Sequence, residues 1–153
     1  MATRNPLELP ASGRLLALDV GGKRVGVALC DSGRRLGTVR GVWSRPWAEL
    51  KMKIAAEKAN GIVAVVLGYP LNMDGSVGPG ATAVSSLADL IEKELGLPVL
   101  IWDERLTSRQ VESAFFEQRQ GRETRGSKRD SVGSIDAGAA VVILQGVLDS
   151  LRI

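Results

Sequence analysis

The chain has 153 residues, of which 44% are hydrophobic, and it carries no histidine, one cysteine and a formal net charge of +3. A length of this order suits one domain with a real core, and a sequence pI near 9.4 fits a phosphate-rich partner. Without an imidazole, His-based serine triads, His-ligated zinc and His acid–base ribonuclease chemistry are excluded, so any catalysis rests on carboxylates, cations or metal.

Residues 1–13 carry Pro6 and Pro10 and no periodicity, which predicts a flexible N-terminal arm ahead of a single domain over 14–153. The stretch LLALDVGGKRVGVAL, Leu15 to Leu29, holds two apolar runs separated by Asp19, Gly21, Gly22, Lys23 and Arg24. It reads as a hairpin with an acid at its mouth, its second strand running from Arg24 to Cys30. Cys30, among Val27, Ala28 and Leu29, reads as an inert core thiol. Asp31, Ser32 and Gly33 then turn the chain into a strand around Leu36 to Trp43, completing an antiparallel meander.

Pro46 sits where a first helical turn tolerates it, and Trp47, Leu50, Ile54 and Ala55 recur at helical spacing up to Asn60 and Gly61. Ile62 to Leu67 is a valine-rich run of strand length, the pattern of a central strand covered on both faces. After the turn-rich loop GYPLNMDGSVGPG, a helix bearing Val84, Leu87, Ala88, Ile91 and Leu95 ends at Gly96 and leads to the short strand VLIW. The alternation of strand and helix predicts parallel strands joined by crossover helices, hence an α/β fold with a mixed sheet. No run approaches the ~20 apolar residues of a membrane helix, and no secretory signal pattern opens the chain, so a cytoplasmic protein with no membrane partner is expected.

The VLIW strand ends in Asp103, Glu104 and Arg105, after which Thr107 or Ser108 can cap a helix bearing Val111, Ala114 and Phe115. From about Arg119 to Ser131 the chain is polar, with Arg119, Arg122, Arg125, Lys128 and Arg129. This predicts a mobile basic loop, serving phosphate contact or plain solubility. A final helix is expected from near Ser134. On it Asp136, Ala140, Ile143 and Val147 share one stripe, and small residues allow close approach to the sheet.

Alone, Asp19 is equally a turn former, and Asp136 reads by default as a helix-dipole partner. Together Asp19, Glu104 and Asp136 stand at element ends that can converge on one sheet edge. Clustered carboxylates repel unless a cation lies between them, and hard oxygen donors select Mg²⁺ or Mn²⁺. Such an ion activates water for attack at phosphorus without any histidine.

DVGGKRVGVA, GYPLNMDGS, WDERLTS and IDAGAAVVILQGVL, in this order and spacing, resemble the YqgF family of RNase H-like proteins. The resemblance spans nearly the whole chain from about Arg14. It implies a ribonuclease H-like three-layer α/β fold, with a mixed five-stranded sheet whose first three strands are antiparallel, flanked by helices. It also implies a metal-dependent nuclease, a hydrolase of phosphodiester bonds acting in 5′-end maturation of pre-16S rRNA during ribosome biogenesis, with an older assignment as a Holliday junction resolvase in DNA recombination and repair. The family's catalytic and metal-binding acids fall on Asp19, Glu104 and Asp136. Lys23 and Arg24 match its cationic turn, Asn72 and Asp74 its central loop, and Arg105 the segment after the second acid; with Arg125, Lys128 and Arg129 these are the expected substrate contacts. Nucleic acid is the expected partner, as precursor RNA, ribosomal precursor particles or branched DNA, with the protein a monomer or a homodimer. GYP stands where the family has GLP, and Glu123 and Asp130 interrupt a basic loop that is denser in relatives.

Two other classes compete. A DxG hairpin also opens actin-like ATPases and sugar kinases, but those need a duplicated domain that this length excludes. A nucleic-acid-binding ribosome-assembly module would keep the fold without cleavage, and loss of Asp19 separates it from a nuclease.

Overall fold

The computed structural model describes residues 2–21, 23–69, 79–103 and 128–151, with the side chains of 79 and 128–137 left aside. Five strands, β1 (Arg14–Val20), β2 (Arg24–Cys30), β3 (Gly37–Ser44), β4 (Ile62–Tyr69) and β5 (Val99–Asp103), form one sheet in the order β3-β2-β1-β4-β5. β1, β2 and β3 pair antiparallel, whereas β1–β4 and β4–β5 pair parallel. The hairpin turns are short enough for antiparallel return, and the helical crossovers long enough for parallel return. The mixed sheet expected from the sequence is therefore present.

Its faces separate by alternation. Leu16, Leu18, Val25, Val27, Val65, Leu67 and Ile101 pack with Leu50, Ile54, Val84, Ala88 and Ile91 of α1 (Trp47–Ala59) and α2 (Pro79–Leu95). Leu15, Ala17, Ala28, Cys30, Ala64, Val66, Leu100 and Trp102 pack with Ala140, Ile143, Leu144, Val147 and Leu148 of α3 (Lys128–Leu151). Among the described residues α3 is the helix that packs on this second face. Gly61 (φ +99°) and Gly96 (φ +66°) close α1 and α2 in the left-handed region that a side chain disfavours.

Two expectations are corrected. α3 begins at Lys128, so Lys128 to Ser131 belong to a helix rather than to a basic loop. Gly133 and the charge run obscured that start, whereas Lys and Arg are good helix formers. α2 likewise begins at Pro79, inside the stretch read as loop, because proline at a first helical position costs no hydrogen bond.

The residues expected as an arm are tied down at several points. Thr3 N–H donates to Val99 O at 2.9 Å and Ile101 N–H donates to Thr3 O at 2.8 Å, adding a parallel bridge beside β5. A 3₁₀ turn over Pro6–Glu8 is capped by the Asn5 side chain, and Leu9 is buried in the α3 face. Arg34 donates to Gly13 O and Pro10 O, both at 2.7 Å. The Thr3 and Arg34 bonds join residues far apart in sequence, which local periodicity does not report.

Candidate active site

Asp19 is the penultimate residue of β1, half-buried, at the carboxyl end of a strand flanked on both sides. Its position in the alternation is that of Leu15 and Ala17, so it belongs to the face that α3 covers. Across the antiparallel ladder it stands opposite Gly26. On the parallel side Leu18 is level with Leu67, so the next position along β4 is Gly68. Both strand neighbours of the carboxylate therefore lack side chains. The carboxylate thus stands at a strand's carboxyl end, the usual location of sites in open α/β sheets.

Asp103 ends β5 level with Tyr69 and is half-buried. It shares the phase of Val99 and Ile101, on the opposite face from Asp19. Glu104, Asn72, Asp74, Arg105 and Arg125 lie outside the described residues. Asp136 is in the body of α3, one helical turn before Ala140, which is fully buried in the α3 face. Ala140, Ile143 and Val147, the residues that share its stripe, are all buried. Lys128 and Arg129 fall in the first turn of the same helix. Among the described residues there is no group of three or more His, Cys, Asp or Glu placed to hold a metal.

Lys23 and Arg24 are exposed at the hairpin turn, which is closed by Gly21 N–H donating to Arg24 O at 2.8 Å. Arg45 joins them, donating from Nη1 to Gly21 O at 2.8 Å. Sequence reading passed over Arg45, although the meander pairs Arg24 with Ser44 and so brings the residue after β3 to this turn. Positive charge beside a strand-end acid suits a polyanion whose phosphates must approach that acid. Cys30 is buried, and burial pushes its thiol up from the ordinary range; Leu15 N–H donates to its Sγ at 3.1 Å. It is a packing residue, far along β2 from Asp19.

The fold is that of the ribonuclease H-like proteins. The solved structure of T. thermophilus RuvC in complex with Holliday junction substrate superposes with a TM-score of 0.51 at 14% identity, over 91% of this chain and 96% of that one. The chain belongs to the family described as "RuvX: Holliday junction resolvase", whose model matches residues 13–150. A protein of Acidiphilium cryptum named "Putative pre-16S rRNA nuclease" is 43% identical over 94% of this chain and 89% of its own length. One of the same name from Novosphingobium aromaticivorans is 40% identical over 99% of this chain and 97% of its own.

Proposed function

We propose that this protein is a metal-dependent nuclease that hydrolyses phosphodiester bonds in pre-16S rRNA, maturing its 5′ end, with Asp19, Glu104 and Asp136 as its acids. The observation that carries the reading is Asp19 at a strand's carboxyl end between two glycine positions, in a chain of this family. Asp136 lies on α3 one helical turn before buried Ala140, and α3 packs on the face to which Asp19 belongs. The relatives that share this chain's length carry the pre-16S name.

The donor set fits a hard divalent ion. All three groups are carboxylates, no histidine is present, and the one cysteine is a core thiol. When bound, Mg²⁺ or Mn²⁺ neutralises the acids and supplies an activated water. The remaining work falls to the chain. Lys23 and Arg24, with Arg45 bracing their turn, hold the phosphodiester against Asp19. Asn72, Asp74, Arg105, Arg125, Lys128 and Arg129 supply further contacts to the backbone. Among the described residues no helix is long and apolar enough to cross a membrane; the reading places the enzyme in the cytoplasm with precursor particles.

The family description favours a second reading, resolution of a four-way DNA junction. One assay separates them: a labelled RNA carrying the precursor's 5′ extension and a four-way junction are incubated with Mg²⁺ or Mn²⁺, with and without chelator, using wild type and Asp19→Asn. Metal-dependent RNA cleavage lost in the variant is the expected result. Paired symmetric nicks in the junction establish the second reading instead, and binding without cleavage of either leaves an assembly module. Full activity in an Asp19→Asn/Asp136→Asn double variant sinks the acid assignment.

A further inference from the structure

The N-terminal segment lies outside the family match, which begins at residue 13. It nevertheless reaches the rim that carries the proposed site. The Thr3 bridge aligns it parallel to β5, and the capped 3₁₀ turn and buried Leu9 fix its continuation. Arg4 is therefore held in place, with its guanidinium 4.8 Å from the centroid of the Tyr69 ring. Tyr69 is the last residue of β4, the strand beside β1, and is only 4% exposed, whereas Arg4 is exposed. A buried aromatic face thus seats a cation whose outer side is open to solvent.

We infer that Arg4 is a substrate-positioning residue that contacts a phosphate of the RNA backbone on the α1/α2 side of the rim, across it from Asp19, so that the N-terminal segment forms part of the binding surface. The inference rests on the nuclease reading above. Lys23, Arg24 and Arg45 occupy the β2–β3 side of Asp19, and Arg4 supplies charge on the β4–β5 side, so a strand crossing the rim meets cations before and after the acid. Seating on Tyr69 lowers the entropy lost when this arginine engages a phosphate.

The test is the salt dependence of binding. Affinity of the full chain for a single-stranded RNA carrying the precursor's 5′ extension is measured in chelator between about 0.05 and 0.2 M salt. Arg4→Gln is expected to weaken binding and to flatten the slope by nearly one phosphate contact, so that this fourfold rise in salt costs the variant about threefold less affinity than wild type. Arg4→Lys restores the wild-type slope, because the charge remains. Tyr69→Leu, which removes the seat, weakens binding in the same direction, and adding Arg4→Gln to it brings little further loss. A structural role alone would lower the melting temperature of Arg4→Gln and leave its slope at the wild-type value, which overturns the inference while the nuclease reading stands. Absence of RNA binding by wild type at every salt overturns both.

Discussion

Asp19 stands directly opposite Gly26 across the β1–β2 ladder, so the carboxylate has no side chain beside it on that strand. Glycine in a strand interior weakens it, and the position is tolerated where something must approach closely. Gly26→Ala is expected to slow cleavage by on the order of tenfold to a hundredfold through misplacement of the reacting groups. Its melting temperature should hold or rise, since alanine loses less backbone entropy. Parallel cleavage and melting measurements check this; loss of both together would mean that Gly26 serves packing alone.

A second prediction concerns how α3 seats. A Cβ on Gly37 would lie 3.0 Å from Leu144 Cδ2, and Gly37 N–H donates to Gln145 Oε1 at 3.1 Å. Gly37→Ala is expected to destabilise by about 1–3 kcal/mol through overpacking. Leu144→Ala should cost about 2–5 kcal/mol through its cavity. The double variant should cost less than the sum of the two, because each change relieves the other, and denaturant melts of the cycle report that coupling.

Glu57 is an acid on the buried stripe of α1, 4% exposed, and its Oε1 accepts from Arg40 Nε at 2.8 Å. Its Oε2 is buried with no hydrogen-bond partner among the described residues. Arg40→Ala strands the carboxylate, at an expected cost of about 1–3 kcal/mol, moderated by the partial exposure of the arginine. Replacing both, as Arg40→Leu/Glu57→Leu, should be milder than Arg40→Ala alone. Equal losses in the two proteins would show that the pair contributes nothing beyond its packing.

Acid sensitivity has one readable source at the β2–β3 turn. Asp31 accepts from Leu36 N–H at 3.0 Å and Arg35 N–H at 2.8 Å, and these bonds hold its carboxyl below the ordinary range. A lowered folded value means that the stabilisation is complete above the unfolded range, near pH ~4, and disappears as pH falls through the folded value. Asp31→Ala should therefore melt below wild type at neutral pH, with the gap closing on acidification. A gap that widened in acid would reverse the sign and refute the assignment.

The elements legible in the sequence are those whose cause is local. Ile62 to Leu67 reads as a central strand because valine runs between turn residues leave few other fates, and β4 extends it only to Tyr69. The stripe Ala140, Ile143, Val147 reads as a buried helix face for the same reason, and all three are buried. What escaped is set by distant partners. Glu57 is buried where Arg40 comes to it from β3, and Thr3 is fixed by the backbone of β5; neither leaves a periodic trace. The position of Asp19 was legible as a strand end, but the bare glycine position opposite it required the register.

Among the described residues α3 is the last element along the chain and the helix that covers the face formed by Leu15, Ala17, Ala28 and Val66. During synthesis that face stays bare until the helix has left the ribosome, long after β1 has emerged. Asp136 arrives with the same helix. On the proposed acid set, a growing chain holds an incomplete centre until α3 has emerged.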